Sequence, residues 1–165
     1  SKNEEARPGT EEETQRLLHE LQVLQFELVI QNEQLQQTRH EVEAGLERYI
    51  NLYDFAPTGY FTLGYDGAIR QLNLTGANLL GIERARLINR RFGLFVSETD
   101  RPVFNAFLKK VFESQAKETC EVALLKEGNH PFYVHIEARV SEDGQECRAA
   151  VVDITERKQA EDKIR

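Results

Sequence analysis

Residues 131–140 alternate with a period of two: Phe132, Val134, Ile136, Ala138 and Val140 on one side, Tyr133, His135, Glu137 and Arg139 on the other. That is a strand with one face in a core. Two further strands are expected around it. Residues 117–126 place Cys120, Val122 and Leu124 on one side. Residues 146–154 place Cys147, Ala149 and Val151 on one face and Ala150, Val152 and Ile154 on the other. Gly128-Asn129 and Asp143-Gly144 supply the turns. The last strand runs straight into a charged helical segment. Asp153 and Thr155 are good N-cap residues there, and Glu156 is an acid suited to the first turn.

Upstream lies a seam of a different period. Leu17, Leu21, Leu24, Leu28, Gln31, Leu35, Thr38, Val42, Gly45 and Tyr49 are spaced alternately by four and three, a sustained heptad. The spacing predicts a coiled-coil-like helix over 11–48, roughly 60 Å long at 1.5 Å per residue. Leu17, Leu21, Leu24, Leu28, Leu35 and Val42 are the expected dimerisation residues. Val23, Phe26 and Ile30 form a second stripe, which calls for more than one neighbour. Gly45 marks a joint in the helix. Residues 1–10, with Pro8 and Gly9, are expected to be disordered or linker.

Pro57 ends the helix by restricting Ala56. A hairpin follows: a strand at 60–63, a turn at Tyr65-Asp66-Gly67 and a returning strand at 68–72. Short helices are expected at 74–80, 83–88 and 91–95. Ser97 is expected to start a longer helix, with Asp100 completing a capping box and Val103, Phe104, Phe107, Leu108, Val111 and Phe112 on its apolar face. Strands in runs with helices grouped between them read as an α+β fold around an antiparallel sheet. Ala123, Leu125, Tyr133, Ala150 and Val152 make the second face of that sheet partly apolar, so it calls for a cover.

The formal charge of −7 argues against nucleic acid and against an anionic membrane surface as partners. No apolar run is long enough to span a bilayer. The two cysteines have no partner at metal spacing, and no metal site is expected. They read as buried thiols of a reducing cytoplasm. No P-loop, HExxH, GxGxxG or GxSxG is present, so no catalytic residue is expected. The helix running up to Arg165 reads as the start of a connection, over 156–165, to an output domain in a longer chain.

From about Tyr49 to Lys158 the chain resembles a PAS domain with its trailing PAC segment. The resemblance is carried by Leu52-Tyr53-Asp54-Phe55-Ala56-Pro57-Thr58-Gly59-Tyr60, the Tyr65-Asp66-Gly67 hairpin and Asn73. It continues through Ala77, Leu80, Gly81 and Asp100-Arg101 to the exit motif Asp153-Ile154-Thr155-Glu156-Arg157-Lys158. His19 to Glu33 looks like the segment that precedes such domains in bacterial sensor proteins.

The resemblance implies a domain over 49–155 with a five-stranded antiparallel sheet in order 2-1-5-4-3 and helices on one face. It also implies a parent of histidine-kinase or diguanylate cyclase/phosphodiesterase type. That order separates Cys120 from Cys147 by roughly 9–10 Å, beyond disulfide reach. Asn89-Arg90-Arg91-Phe92 stands where the flavin photosensors have Asn-Cys-Arg-Phe, so Arg90 occupies the thiol's place and cysteinyl-flavin chemistry is ruled out there. Phe104 stands where the haem branch has its ligating histidine, and Phe cannot ligate iron.

What is left is an unknown small molecule or none. Phe61, Asn73, Phe92, Phe104, Phe107, Val134 and Ile136 are the candidate ligand-binding residues, with Arg90 or Arg91 as further polar anchors. Asp153 and Thr155 are the candidate signal-coupling residues. The expected function is a sensory and dimerisation module. The alternative is a ligand-free homodimeric scaffold with a filled core.

Overall fold

The structure, a computed structural model, describes residues 2–126 and 130–164, with side chains from residue 9 to residue 163. The chain divides into two compact units, Ser1–Tyr49 and Ile50–Arg165, each described by itself.

The first unit belongs to helix α1 (Lys2–Asp54), whose last turn enters the second unit. The helix begins ahead of the expected Glu11, so the stretch expected as disordered or linker is helical from Lys2. Glu4, Glu5, Ala6, Arg7 and Glu11 to Glu13 are good helix formers, and weight given to Pro8 and Gly9 alone discounts them. The seam residues Leu17, Leu21, Leu24, Leu28, Leu35 and Val42 are 54–66% exposed along it. Among the described residues no helix is long and apolar enough to cross a membrane.

The second unit is a five-stranded antiparallel sheet in order β2-β1-β5-β4-β3. Its strands are β1 (Gly59–Gly64), β2 (Ile69–Leu72), β3 (Glu118–Leu125), β4 (Pro131–Val140) and β5 (Glu146–Asp153). Between β2 and β3 lie α2 (Leu74–Leu80), α3 (Arg84–Leu87), a 3-10 turn (Phe92–Phe95) and α4 (Arg101–Glu113). The exit helix α5 (Thr155–Ile164) follows β5. Fold class and strand order are those expected. The hairpin turn closes on Gly67 at φ +82, a region that L side chains rarely enter. The expected turn at Gly128-Asn129 lies outside the described residues. At Gly144 the second turn takes φ +74, and its N–H donates to Ser141 O at 3.0 Å.

Alternation places the core. Phe61 and Leu63 of β1, Val122 and Leu124 of β3, Val134, Ile136 and Ala138 of β4, and Cys147, Ala149 and Val151 of β5 are all buried on one face. The helices close over them with Leu80, Leu87, Phe92, Phe104, Phe107 and Val111. α2 reaches the sheet because Gly76 has no side chain; a Cβ there would stand 2.9 Å from Phe61 Cζ.

Three local expectations change. Ser97 does not start α4. Its carbonyl instead closes a turn, accepting from Asp100 and Arg101 N–H at 3.0 Å each, and the helix begins at Arg101. The capping box is absent because the Asp100 carboxylate is drawn across to β3, where it accepts from Ala123 N–H at 2.8 Å. Val103, expected on the apolar face, is 49% exposed: Phe104, Phe107 and Val111 define the buried stripe and Val103 falls off its edge.

On the far side of the sheet Ala123 is buried, whereas Tyr60, Leu125, Tyr133 and Val152 remain 37–42% exposed. Ile154, expected on that face, is buried where α5 starts.

Candidate functional site

Two groups of residues carry the chemistry of this unit: an aromatic interior and the junction between sheet and exit helix.

In the interior the rings of Phe61 and Phe92 meet edge to face at 5.1 Å. Phe92 and Phe104 lie 5.2 Å apart, and Phe104 and Phe107 6.3 Å. Val134 and Ile136 of β4, the strand between β5 and the edge strand β3, back them. Six of the seven candidate ligand-binding residues therefore share one apolar cluster, and each of them is buried.

Asn73 differs. It is fully buried and it caps α2, with its amide oxygen accepting from Gly76 N–H at 2.8 Å and from Tyr60 N–H at 2.9 Å. Its amide nitrogen donates to Tyr53 O at 2.7 Å and to Thr58 O at 2.9 Å. Both donors and the acceptor are engaged by backbone, so a ligand would have to displace one of these bonds. Beside it the Arg84 guanidinium reaches the Asp54 carboxylate at 2.7 Å, and Thr75 Oγ1 donates to Ala56 O at 2.5 Å. Together they fasten the end of α1 to the start of α2.

No buried side-chain nitrogen or oxygen among the described residues lacks a hydrogen-bond partner. Arg90, one expected anchor, lies over the Phe95 ring at 5.2 Å from its centroid. Arg91 lines a cleft of about 260 Å³ with Leu94, Arg101, Phe104 and Asn105. Among the described residues no group of three or more His, Cys, Asp or Glu side chains could hold a metal ion.

Both cysteines are free thiols. Burial pushes each up to about 12 from an ordinary value of 9.0. The Asp100 and Glu121 carboxylates add to the effect at Cys120. At Cys147 a backbone hydrogen bond from Leu63 opposes it in part and Glu146 adds to it. A thiolate is the reactive form, so at pH 8 a disulfide reagent leaves both thiols of the native protein unmodified and titrates two after denaturation. In the unfolded chain the thiols ionise near 9 while in the folded chain they stay protonated to about 12. Their contribution to stability is therefore complete below pH 9 and falls as pH rises from 9 to 12. Urea unfolding at pH 8 and pH 10.5, with a Cys120→Ala, Cys147→Ala control, reads this loss.

At the junction the expected capping arrangement is rearranged. The first bond of α5 runs from Lys158 N–H to Ile154 O, so Ile154 takes the cap position and Asp153 and Thr155 flank it. The Asp153 carboxylate accepts from Thr155 N–H at 2.9 Å and from Thr155 Oγ1 at 2.6 Å. The Thr155 oxygen in turn accepts from Tyr133 N–H at 3.0 Å, and Ile154 N–H donates to Tyr133 O at 2.8 Å. One side chain thus joins the exit helix to β4, the strand beside its own. Arg157 adds a second tie, its Nη2 lying 2.6 and 3.2 Å from the two oxygens of Glu121 on β3.

Sequence reasoning missed this pair. Arg157 stands one residue beyond Glu156 in the first turn, and Glu121 faces outward by the alternation of β3, but only the register of β3 on β4 aligns them.

The matched elements and the junction agree with a family profile described as PAS domain, which covers residues 57–156. The chain belongs to the PAS domain family. Solved PAS domains share the fold at low identity. The PAS domain of an HTR-like protein from Haloarcula marismortui is 18% identical, covers 72% of this chain and 99% of its own, and superposes with a TM-score of 0.63. A domain of a sensory box sensor histidine kinase/response regulator from Geobacter sulfurreducens is 17% identical over 68% of this chain and 96% of its own, TM-score 0.58. The PAS domain of a LuxR-family transcriptional regulator from Burkholderia thailandensis, solved with ethanol, is 18% identical over 64% and 96%, TM-score 0.55. No curated protein matches the sequence at comparable stringency.

Proposed function

We propose that this PAS chain is a non-catalytic sensory and pairing module of a bacterial cytoplasmic signalling protein. Two copies join through α1, and a change in the sheet, caused by a small ligand or a partner, passes through α5 to an output domain of the same chain. A histidine kinase or a cyclic-dinucleotide enzyme is the proposed parent, in keeping with the sensor histidine kinase named for the Geobacter structure.

The observation that carries this reading is the Thr155 hydroxyl held between Asp153 and the backbone of Tyr133. Any shift of β4 against β5 alters the bond that sets where α5 begins. A ligand or partner acts on that bond only so far as it binds the two positions with different affinity.

Thr155→Val keeps the branched shape and removes the oxygen. Losing its hydrogen bonds to Tyr133 and Asp153 is expected to cost about 0.5–1.5 kcal/mol and to change the output of the full-length protein at fixed stimulus. A phosphotransfer or cyclic-dinucleotide assay checks this, and unchanged output in a correctly folded variant removes the coupling role.

A second reading has its own support. The interior is packed with rings and its buried side-chain polar atoms are satisfied, which suits a ligand-free homodimeric scaffold. The ethanol bound by the Burkholderia relative favours a sensor of small molecules instead. Native mass spectrometry of freshly purified protein separates the two. A bound small mass supports the sensor; a bare chain whose melting temperature no small metabolite shifts supports the scaffold.

A further inference from the structure

The first two turns of α4 present Arg101, Phe104, Asn105 and Leu108 on one side, at the spacing that stacks side chains along a helix face. With Arg91 and Leu94 they line the cleft of about 260 Å³. Two glycines in its lining keep it open. A Cβ on Gly67 would stand 3.2 Å from Leu108 Cδ2, and one on Gly93 would stand 3.7 Å from the Phe104 ring.

Charge in this cleft is unbalanced. The chain has 28 Asp and Glu residues against 21 Lys and Arg, so a cation without a carboxylate is notable. Nearby, Arg84 pairs with Asp54 and Arg90 lies over the Phe95 ring. Among the described residues the side chains of Arg91 and Asn105 have no hydrogen-bond or ion-pair partner. Arg101 engages only its Nε, which donates to Val96 O at 3.3 Å. Asp66 is the one acid among the described lining residues, and one of its oxygens accepts from Ala68 N–H at 3.0 Å. Two guanidinium groups against one carboxylate leave a single positive charge in excess.

The rest of the lining is hydrocarbon. Phe104 is buried and Leu108 half-buried, while Leu94 is 54% exposed. A ligand that covers Leu94 removes apolar area from water.

We infer that this cleft binds a small organic carboxylate carrying a short apolar chain. Arg91 and Arg101 supply the planar N–H forks that match a carboxylate. Asn105 adds a donor, and Leu94 and Leu108 take the chain. The volume lies below the about 300–1,000 Å³ of drug-sized sites, so the ligand is small. Asp66 disfavours a second negative charge, as on a dicarboxylate or a phosphate dianion, and suits an ammonium group. A free carboxylic acid and an apolar amino acid share this chemistry. Of the seven interior candidates only Phe104 lines the cleft. The inference names a ligand class for the sensory reading above. Binding is measured on the chain itself, so its failure leaves the coupling through Thr155 untouched.

Isothermal titration calorimetry of the full chain with isovalerate, valine, 3-methylbutanol and inorganic phosphate tests the site. The first three share one carbon skeleton. At least one of the two carboxylates is expected to bind at millimolar concentration or below, with the alcohol and phosphate at least about tenfold weaker. Arg91→Gln is expected to weaken carboxylate binding about tenfold or more. Asn105→Asp sets a carboxylate one turn from Arg101, in the ligand's place, and is expected to abolish binding. Both positions are exposed, and circular dichroism verifies that both variants fold. Valine binding tighter than isovalerate, with the advantage lost in Asp66→Asn, identifies an amino acid; isovalerate binding at least as tightly identifies a free acid. Absence of binding by either carboxylate at millimolar concentration overturns the inference. Equal binding of the alcohol or of phosphate, or undiminished binding in folded Arg91→Gln, does the same.

Discussion

Asn73→Ala lowers the unfolding free energy by about 3–4 kcal/mol, since it removes a cap and leaves several buried backbone groups without partners. Four backbone groups lose their bonds at once: the carbonyls of Tyr53 and Thr58 and the N–H groups of Tyr60 and Gly76. No neighbouring side chain can replace them, because Asn73 is fully buried and a water would have to enter a space the size of an amide. Urea denaturation of the whole chain, followed by the tyrosines of unit 2, measures the loss.

Asn73→Asp separates donor from acceptor. The carboxylate keeps the two N–H bonds and turns an oxygen toward two carbonyls, so at pH 7 it is expected to be nearly as unstable as the alanine variant. Below its raised carboxyl pKa it regains one donor and part of the stability. A loss under 1 kcal/mol for Asn73→Ala would remove this residue from its role as the clip of the domain.

Phe92→Ala has a comparable effect by a different route. Phe92 is 1% exposed and touches the rings of Phe61 and Phe104 at 5.1 and 5.2 Å. Deleting a buried phenyl ring costs about 3–5 kcal/mol, the lost transfer energy plus the cavity left behind. The cavity is apolar and therefore dry, and it is expected to take up benzene or a similar small hydrocarbon, which restores part of the melting temperature. The wild-type core, filled by the ring itself, shows no such rescue. A wild-type chain stabilised as strongly as the variant would mean that the interior already holds open space, and would shift the balance toward a native ligand there.

The alternation of 131–140 and 146–154 contained the two long strands and the side of the sheet that faces the core, because period two needs no knowledge of neighbours. The helix over 74–80 was equally readable, with an N-cap asparagine before it and Gly81 after it. The order of the strands was not in those patterns; it came with the resemblance.

The contacts that define the site were harder to read for a common reason: each joins residues far apart in sequence. Asn73 announces a cap, but nothing in its neighbourhood shows that it also holds Tyr53, Thr58 and Tyr60. Asp100 looks like part of a capping box, yet the packing of β3 against α4 offers its carboxylate a backbone N–H at Ala123, and that bond wins. Asp153 and Thr155 stood out as helix-start residues. That Thr155 binds Tyr133 rather than a helical N–H follows from the register of β4 on β5, where Val134 lies opposite Asp153.

The pairing of β1 with β5 runs unbroken from Gly59 opposite Val151 to Gly64 opposite Glu146. The Gly59–Val151 end of that ladder carries both connections: Tyr60 is held there through Asn73 to the foot of the entering helix, and β5 continues there through Asp153 to the departing one. A slip of one residue would turn every buried side chain of β1 to solvent. Displacement at the foot of the first rod therefore cannot reach the second as sliding. A ladder pinned against slip can yield only by twisting, so the directions of the two helices that meet this sheet can change without any change of register.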